Sequence, residues 1–484
     1  MFGFARGSDA CEPIIDHLIE EIDLNLHDFF ENGQYLASKA WNSKGFCPVL
    51  FVLSLFALVT ETQLPVMYLL VAVTVLLLVF CDDLLSIVCP LLCIFLLSTK
   101  YYTDYTSLVP YVPYAAVPFA IAAVFNLAHY RRPIVKGRFT MPLCAVSAAL
   151  LIGGVGTISA KDYFRPTSLY YMLGLGVVML GLYFLVNSRL ENDREYDRVE
   201  RMADILFTAG LVASAVVLSF YAVNLERFIE KGSVLFFKPR NYVASVLLMT
   251  LPASCLLIER RRIHLIGYAV MCLALVMCGS RSGLLFGAMI GFVSGVYICH
   301  LRRESIAEHK WYNWAFLVLV AVLCYVGVKY IPVLYSSRLV EGSFISSSET
   351  RVSFIELGIK DFLACPINGV GLGNTKNVGI FKAIVPGSLV FYHNVIIQVM
   401  GSMGTIGVMA YCWLFGERMR LIVTNLHSKQ IIFGFSYAGI LAMSMTNPGI
   451  FCPFPEAALL IIMFSIAEKE AKRQNQIYMV EDSV

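Results

Sequence analysis

Apolar runs of membrane-spanning length recur along nearly the whole chain, and no other feature limits its fold as much. They fall at 46–61, 63–80, 84–99, 111–129, 140–159, 168–188, 203–222, 242–258, 263–279, 283–300, 312–331, 390–416, 430–447 and 456–468. A helix needs about 20 apolar residues to cross a bilayer, and several runs are shorter. The expectation is therefore an all-α polytopic membrane protein with about 12–14 transmembrane helices. Composition agrees: 58% of the 484 residues are hydrophobic and 15% charged, against roughly 45–50% and about 25% in soluble domains. A soluble enzyme, a secreted disulfide scaffold and a disordered chain are excluded.

The runs divide the chain. Residues 1–45 read as a cytosolic tail, acidic and amphipathic between Glu12 and Glu31, without the pattern of a signal peptide. Residues 46–331 form a first bundle, 332–389 an extracytoplasmic loop, 390–468 the last transmembrane helices, and 469–484 a second cytosolic tail. Most of the fourteen cysteines sit inside apolar runs, where they act as small hydrophobes. Cys365 and Cys452, on the outer side, are candidates for a disulfide. No pair of matched CxxC motifs suggests zinc. The net charge of +3 is spread in short basic clusters between spans, so nucleic acid is not an expected partner.

Those clusters set the orientation. With the tail inside, the segments 130–138, 189–201, 259–262, 301–310, 417–429 and 469–473 all fall on the cytosolic side. Each carries three or four Lys and Arg residues, as the positive-inside rule expects. Outside, the 332–389 loop is the longest connection, long enough to carry function or structure of its own. It contains a helix signal: Ser346 with Glu349 as a capping box, then Val352, Ile355, Ile359 and Phe362 at helical spacing, ended by Pro366 and Gly369.

Of eight histidines only His393 falls outside, in Phe391-Tyr392-His393-Asn394, where the loop re-enters the membrane. It reads either as an interfacial histidine capping a helix or as an acid/base. Beside a helix N-terminus its ring is favoured in the neutral form. Arg281 lies between two apolar runs in Gly279-Ser280-Arg281-Ser282-Gly283, and snorkelling to headgroups is the simpler reading of it. Arg351 is expected in the first turn of the loop helix, an unfavourable place for a cation unless an anion faces it. Arg240 precedes a span in Arg240-Asn241-Tyr242. Guanidinium groups around one neutral histidine suit a phosphorylated lipid, since arginine binds pyrophosphate by bidentate hydrogen bonds. No outward DxD or His/Asp cluster for a divalent ion is visible, and Asp82-Asp83 on the cytosolic side reads as a turn. Gly369-Val370-Gly371-Leu372-Gly373 has no preceding strand, so it reads as a flexible turn that brings backbone N–H groups to the site.

The stretch from Arg351 through Phe354, Pro366 and Gly369-Val370-Gly371 to His393-Asn394 and Gln398, followed by Gly401, Gly404 and Gly407, resembles the O-antigen ligase and O-antigen polymerase family. Ser280-Arg281 and Asn241-Tyr242 fit the same pattern upstream. The resemblance covers about 235–420. It implies a GT-C-like integral membrane glycosyltransferase of the bacterial inner membrane, working in cell-surface polysaccharide synthesis without cofactor, nucleotide or metal. Its partners would be a polyprenyl-pyrophosphate-linked glycan donor, a glycan or lipid acceptor, and membrane lipids. His393 would activate the acceptor hydroxyl outside the cytosol, and Arg281 and Arg351 would hold the donor pyrophosphate. Arg240, Asn394, Asn241 and Gly371 would support them. Ligase and polymerase signatures overlap, so both remain open. The competing class is a flippase or transporter of lipid-linked glycan, marked by internal repeats and polar mid-span residues, which the sequence does not show.

Overall fold

The computed structural model describes residues 28–98, 110–131, 133–158, 169, 172–190, 196–235, 240–261, 263–301, 343–377, 391–447 and 454–481, with isolated positions between 318 and 329. Among these the chain is helical without strands. Six helices are long and apolar enough to cross a membrane, or seven if one bent pair is a single span, and five more are apolar but shorter. The expected 12–14 spans thus correspond to six or seven full-length helices and five short ones among the described residues. The run at 312–331 lies almost wholly outside them.

The helices form two compact units. The first contains α1 (Asp28–Asn42), α2 (Phe46–Val59), α3 (Gln63–Phe80), α4 (Val88–Ser98) and α5 (Val112–His129). The described part of the tail is therefore not a free arm: α1 is helical and meets α2 at a bend of 78°. Trp41, on α1, is buried and donates to the Asp83 carboxylate at 2.8 Å. Asp83 also caps the 3₁₀ turn Leu84–Ile87, accepting from the Leu85 N–H, which agrees with a turn at Asp82-Asp83.

The second unit holds α6 (Thr140–Ile158), α7 (Met172–Leu190, opening with a π-helical stretch), α8 (Arg198–Val223) and α9 (Leu225–Lys231). It continues with α10 (Arg240–Arg260), α11 (His264–Met277), α12 (Arg281–Leu301), α13 (Ser343–Ala364), α14 (Val395–Thr424), α15 (Ile431–Ser444) and α16 (Phe454–Glu481). α10 is the most enclosed span and packs against α8, α11, α12 and α15. Small residues permit this, as is common between membrane helices: a Cβ on Gly283 of α12 would collide with Ala244 of α10. α16 packs on α7 and continues helical past residue 469, so the described part of the second tail extends the last span.

Ion pairs collect at one end of this unit. Arg138 pairs with Glu417 at 3.4 Å, Arg260 with Glu200 at 3.8 Å, Lys429 with Asp197 at 3.0 Å and with Glu200, and Lys472 with Glu468 at 2.9 Å. Nearly all of these residues come from the segments that their Lys and Arg content assigns to one side. α10 runs from this network at Arg260 to Arg240, and 21 residues of α-helix span about 30 Å.

At the other end α13 differs from its expected form in two ways. It begins by Ser343, not Ser346, which puts Arg351 two turns inside the helix. Its buried face is Phe354, Leu357 and Asp361, whereas Val352 and Ile359 are exposed. The stripe chosen by hydrophobicity faces outward, and a carboxylate takes a place on the buried face.

α14 is broken at Gly404, whose φ of 61° and ψ of −157° are not helical. Four backbone groups around the break find partners in the segment after α13. Val370 N–H donates to Gly401 O at 2.9 Å and Gly371 N–H to Ser402 O at 2.9 Å. In return Thr405 N–H donates to Pro366 O at 2.8 Å and Ile406 N–H to Ile367 O at 3.2 Å. The expectation that this glycine turn offers its amides to a ligand is therefore corrected at Val370 and Gly371. Gly369 has a positive φ of 67° and lies so close to the Ser402 and Met403 backbone that a side chain has no room.

Gly404→Ala must hold a positive φ with an extended ψ, a region essentially confined to glycine, at a cost on the order of 1–3 kcal/mol, and places a methyl against the Ile367 carbonyl. Gly416, lower in α14, has open space around it. Thermal unfolding in detergent should show Gly404→Ala clearly destabilised and Gly416→Ala neutral or slightly stabilised. Equal melting temperatures would mean that the break does not hold the unit together.

Candidate functional site

The starts of α10, α12 and α14 come together and are tied by side-chain hydrogen bonds. Ser280, just before α12, donates its hydroxyl to Asn241 Oδ1 at 2.8 Å. Asn241, in the first turn of α10, donates from Nδ2 to Asn447 Oδ1 at 3.3 Å. Asn447 lies just past α15. Asn394 caps α14, accepting from the Ile396 and Ile397 N–H groups at 3.0 and 3.2 Å, and donates to Met445 O at 3.1 Å. Both ends of the Asn241 and Asn394 amides are thus engaged within the protein.

His393 has a φ of 53°, one of few non-glycine residues in the left-handed region. Such a conformation costs on the order of 1–3 kcal/mol and persists where the surroundings over-determine it. Here they do so. The preceding Tyr392 is fully buried, its N–H donates to Gln398 Oε1 at 2.9 Å, and its hydroxyl donates to Asp361 Oδ2 at 2.8 Å. Gln398 is held in turn by Ser402, donating from Nε2 at 2.9 Å. Asp361 Oδ1 also accepts from Lys376 N–H at 3.0 Å and Asn377 Nδ2 at 2.9 Å. This explains the acid on the buried face of α13. It is an anchor with three neutral donors, and it fixes Tyr392 and hence the backbone beside it.

The His393 ring packs against Phe354, with centroids 5.2 Å apart. Burial, and then the Arg351 guanidinium, lower its pKa to about 4 from the usual 6.5, although the Asn447 hydrogen bond acts the other way. Arg351 is itself pushed down by burial and by the charge of Arg281. The structure therefore brings Arg351 within electrostatic reach of both Arg281 and His393. Arg240 opens α10 beside Asn241, and Arg281 opens α12. Both are cations at helix N-termini, where an anion is favoured and a cation is not.

Gly371 belongs to the scaffold under this site through its bond to Ser402. Three contributors escaped the sequence reading. Asn447 precedes a proline, which marks only a turn. Asp361 is visible as a carboxylate at the i+4 and i+7 positions from Leu357 and Phe354. Tyr392 was noted only as a neighbour of His393. Among the described residues no group of His, Cys, Asp and Glu side chains is arranged to hold a metal ion. Cys365 is a free thiol, and Cys452 lies outside the described residues.

The fold and site together define an all-helical integral membrane protein with a basic, histidine-containing centre at one end of its larger unit. Residues 266–412 match the family model described as O-antigen ligase. The match contains Arg281, Arg351, Gly371, His393 and Asn394, while Arg240, Asn241 and Asn447 lie outside it. It supports an O-antigen-ligase-type, glycosyltransferase-like function in polysaccharide biosynthesis, on lipid-linked glycan and acceptor substrates. No curated protein matches the chain.

The neutral imidazole is the form able to take a proton, so base competence should persist as pH falls past 6 and disappear only near 4. Arg351→Ala removes a cation and should move the midpoint upward. The same sign holds for stability: a depressed histidine pKa favours the fold above about 6.5, and that contribution is lost as pH falls toward 4. Titration of ¹⁵N-histidine-labelled protein, with His393→Gln to assign the signal, checks both statements. An unmoved midpoint in Arg351→Ala would remove the electrostatic link.

Proposed function

We propose that the protein is a metal-independent glycosyltransferase of the bacterial inner membrane that takes glycan from a polyprenyl-pyrophosphate carrier on the extracytoplasmic side. The observation that carries this reading is the placement of Arg351, whose charge acts on both Arg281 and His393. Arg281 and Arg351, with Arg240 in support, bind the donor pyrophosphate. His393 takes the proton of the acceptor hydroxyl as its oxygen attacks the anomeric carbon. The bond from that carbon to the pyrophosphate oxygen breaks, and the electron pair leaves with polyprenyl pyrophosphate. Charge grows on the leaving group, where fixed guanidinium groups stabilise it most.

Donor binding also prepares the base. A pyrophosphate between the arginines cancels part of the field that disfavours imidazolium, so His393 becomes more basic when the donor is present. The basic segments at the ion-paired end support a cytosolic position for that end and an outward position for the site.

One observation favours the competing class of a lipid-linked glycan flippase. Glu456, at the start of α16, is 1% exposed, and among the described residues neither of its carboxylate oxygens has a hydrogen-bond partner. Ionisable groups within membranes often mark transport paths. A single acid without a cluster or repeat weighs less than the arginine and histidine site.

Mass spectrometry of the lipid-linked glycan pool, in cells lacking the protein and complemented with variants, tests the proposal. His393→Ala and Arg351→Ala should be expressed and located normally, yet fail to restore transfer. Arg281→Lys should be impaired because a bidentate clamp does not survive the change. Accumulated single repeats would indicate a polymerase, and accumulated long chains with bare acceptors a ligase. Full rescue by His393→Ala would reject the assignment of the base, and failure of Glu456→Gln alone would favour transport.

A further inference from the structure

We propose that Tyr392 and Asp361 are positioning residues for the transfer reaction: Tyr392 is a peg set between α13 and α14, Asp361 is its catch, and together they hold the His393 backbone in its positive-φ conformation. This inference rests on His393 being the base.

The packing shows the peg. Tyr392, Asp361 and Gln398 are all fully buried. The Tyr392 ring passes a glycine on each helix. A Cβ on Gly358 of α13 would lie 2.9 Å from Tyr392 Cγ, and one on Gly401 of α14 would lie 2.7 Å from Cε2. A side chain at either position would therefore collide with the ring. Phe354 and Leu357 of α13 complete the cluster around it, and Ile397 of α14 packs against them. At the tip of the ring the hydroxyl donates to Asp361 Oδ2 at 2.8 Å, and at its root the backbone N–H donates to Gln398 Oε1 at 2.9 Å. Apolar packing alone would fill this space without burying a charge. The two hydrogen bonds add what packing lacks, a fixed depth and direction for the peg.

Asp361 joins more than the peg. Its other oxygen accepts from Lys376 N–H at 3.0 Å and Asn377 Nδ2 at 2.9 Å, so the end of the segment after α13 and the residue before His393 meet at one carboxylate. That segment is itself tied to α14, since Asn374 Nδ2 donates to Val370 O at 3.1 Å and Val370 N–H donates to Gly401 O at 2.9 Å. His393 follows the peg directly in the chain and has a φ of 53°. A residue other than glycine rests in that region where its surroundings enforce it. Tyr392 fixes the chain on one side of it. On the other, Asn394 caps α14, accepting from the Ile396 and Ile397 N–H groups at 3.0 and 3.2 Å. Phe354, from the cluster around the peg, also meets the His393 ring with centroids 5.2 Å apart. One face of α13 thus locates both the backbone and the ring of His393.

The test uses the full chain in nanodiscs, with ¹³C-histidine labelling to follow the Cα and Cβ shifts of His393, which report its backbone angles. His393→Gln assigns the signal. Transfer is followed with lipid-linked glycan extracted from cells lacking the protein, and membranes of those cells supply acceptor. Tyr392→Phe keeps the ring and removes only the hydroxyl. It should move the His393 shifts and lower kcat about tenfold to a hundredfold, with a much smaller change in the KM for the glycan lipid. Asn377→Ala, which loosens the catch from its other side, should act in the same direction to a smaller extent and leave the melting temperature near wild type. Asp361→Asn should keep the shifts and most of the kcat that Asp361→Ala loses. Its amide oxygen can accept from the 376–377 donors while its nitrogen donates to the phenol oxygen, whose proton turns to Asn374 O at 3.4 Å. If His393→Ala is inactive while Tyr392→Phe keeps full kcat or leaves the His393 shifts unmoved, the positioning role is overturned and the base assignment stands. Activity in His393→Ala would instead overturn the base itself.

Discussion

A bilayer contains no water to satisfy a broken helix, so every backbone group freed at depth needs a partner inside the protein. This constraint organises the functional end of the larger unit. α14 breaks at Gly404, and four backbone hydrogen bonds join the break to Pro366–Gly371. Those bonds hold the end of α13 against α14. They therefore fix the relation between Arg351 and Phe354 on one helix and His393 at the head of the other. The glycine-rich turn serves by this attachment, and its positive φ angles follow from the close approach to Ser402 and Met403.

With that frame set, electrostatics distributes the charged groups. α10 carries an ion-paired network at Arg260 and the basic site at Arg240. Carboxylates that pair with Lys and Arg, such as Asp197, Glu200 and Glu417, sit at the first end. At the second end Arg240 and Arg281 stand at helix N-termini, where an anion is favoured, and Arg351 feels the charge of Arg281.

Much of this was legible in the sequence, and the reasons differ by residue. The membrane class followed from run length, and the grouping of the basic segments from their alternation. Arg281, Arg351 and His393 stood out because each is a polar group at an apolar boundary, where the cost of placing it demands an explanation. The register of α13 was not legible. Hydrophobic spacing selected Val352 and Ile359, but a helix lying at a membrane exposes apolar residues as readily as it buries them, so hydrophobicity does not separate the two faces. Asp361 settles the face, and its reason, the Tyr392 hydroxyl, lies 31 positions away. Asn447 was hidden for the same cause: its partner Asn241 comes from α10, and no local pattern records it.

The chemical division among the site residues follows from these contacts. Asn241, Asn394 and Asn447 are neutral, and each is engaged on both sides of its amide by other protein groups. Such residues fix distances and add nothing to the field. Asp361 is charged, yet it faces Tyr392 and the 376–377 backbone and side chain, so three neutral donors take its oxygens. The same end also carries Arg281 and Arg351 and an imidazole held toward its neutral form. A neutral sugar gains little from that combination, and a cation is repelled by it. A glycan joined to a diphosphate matches both parts, because the anion meets the arginines while the reacting carbon lies one bond beyond the phosphate oxygen. The line Ser280–Asn241–Asn447 ties the starts of α10 and α12 to the end of α15 with uncharged groups.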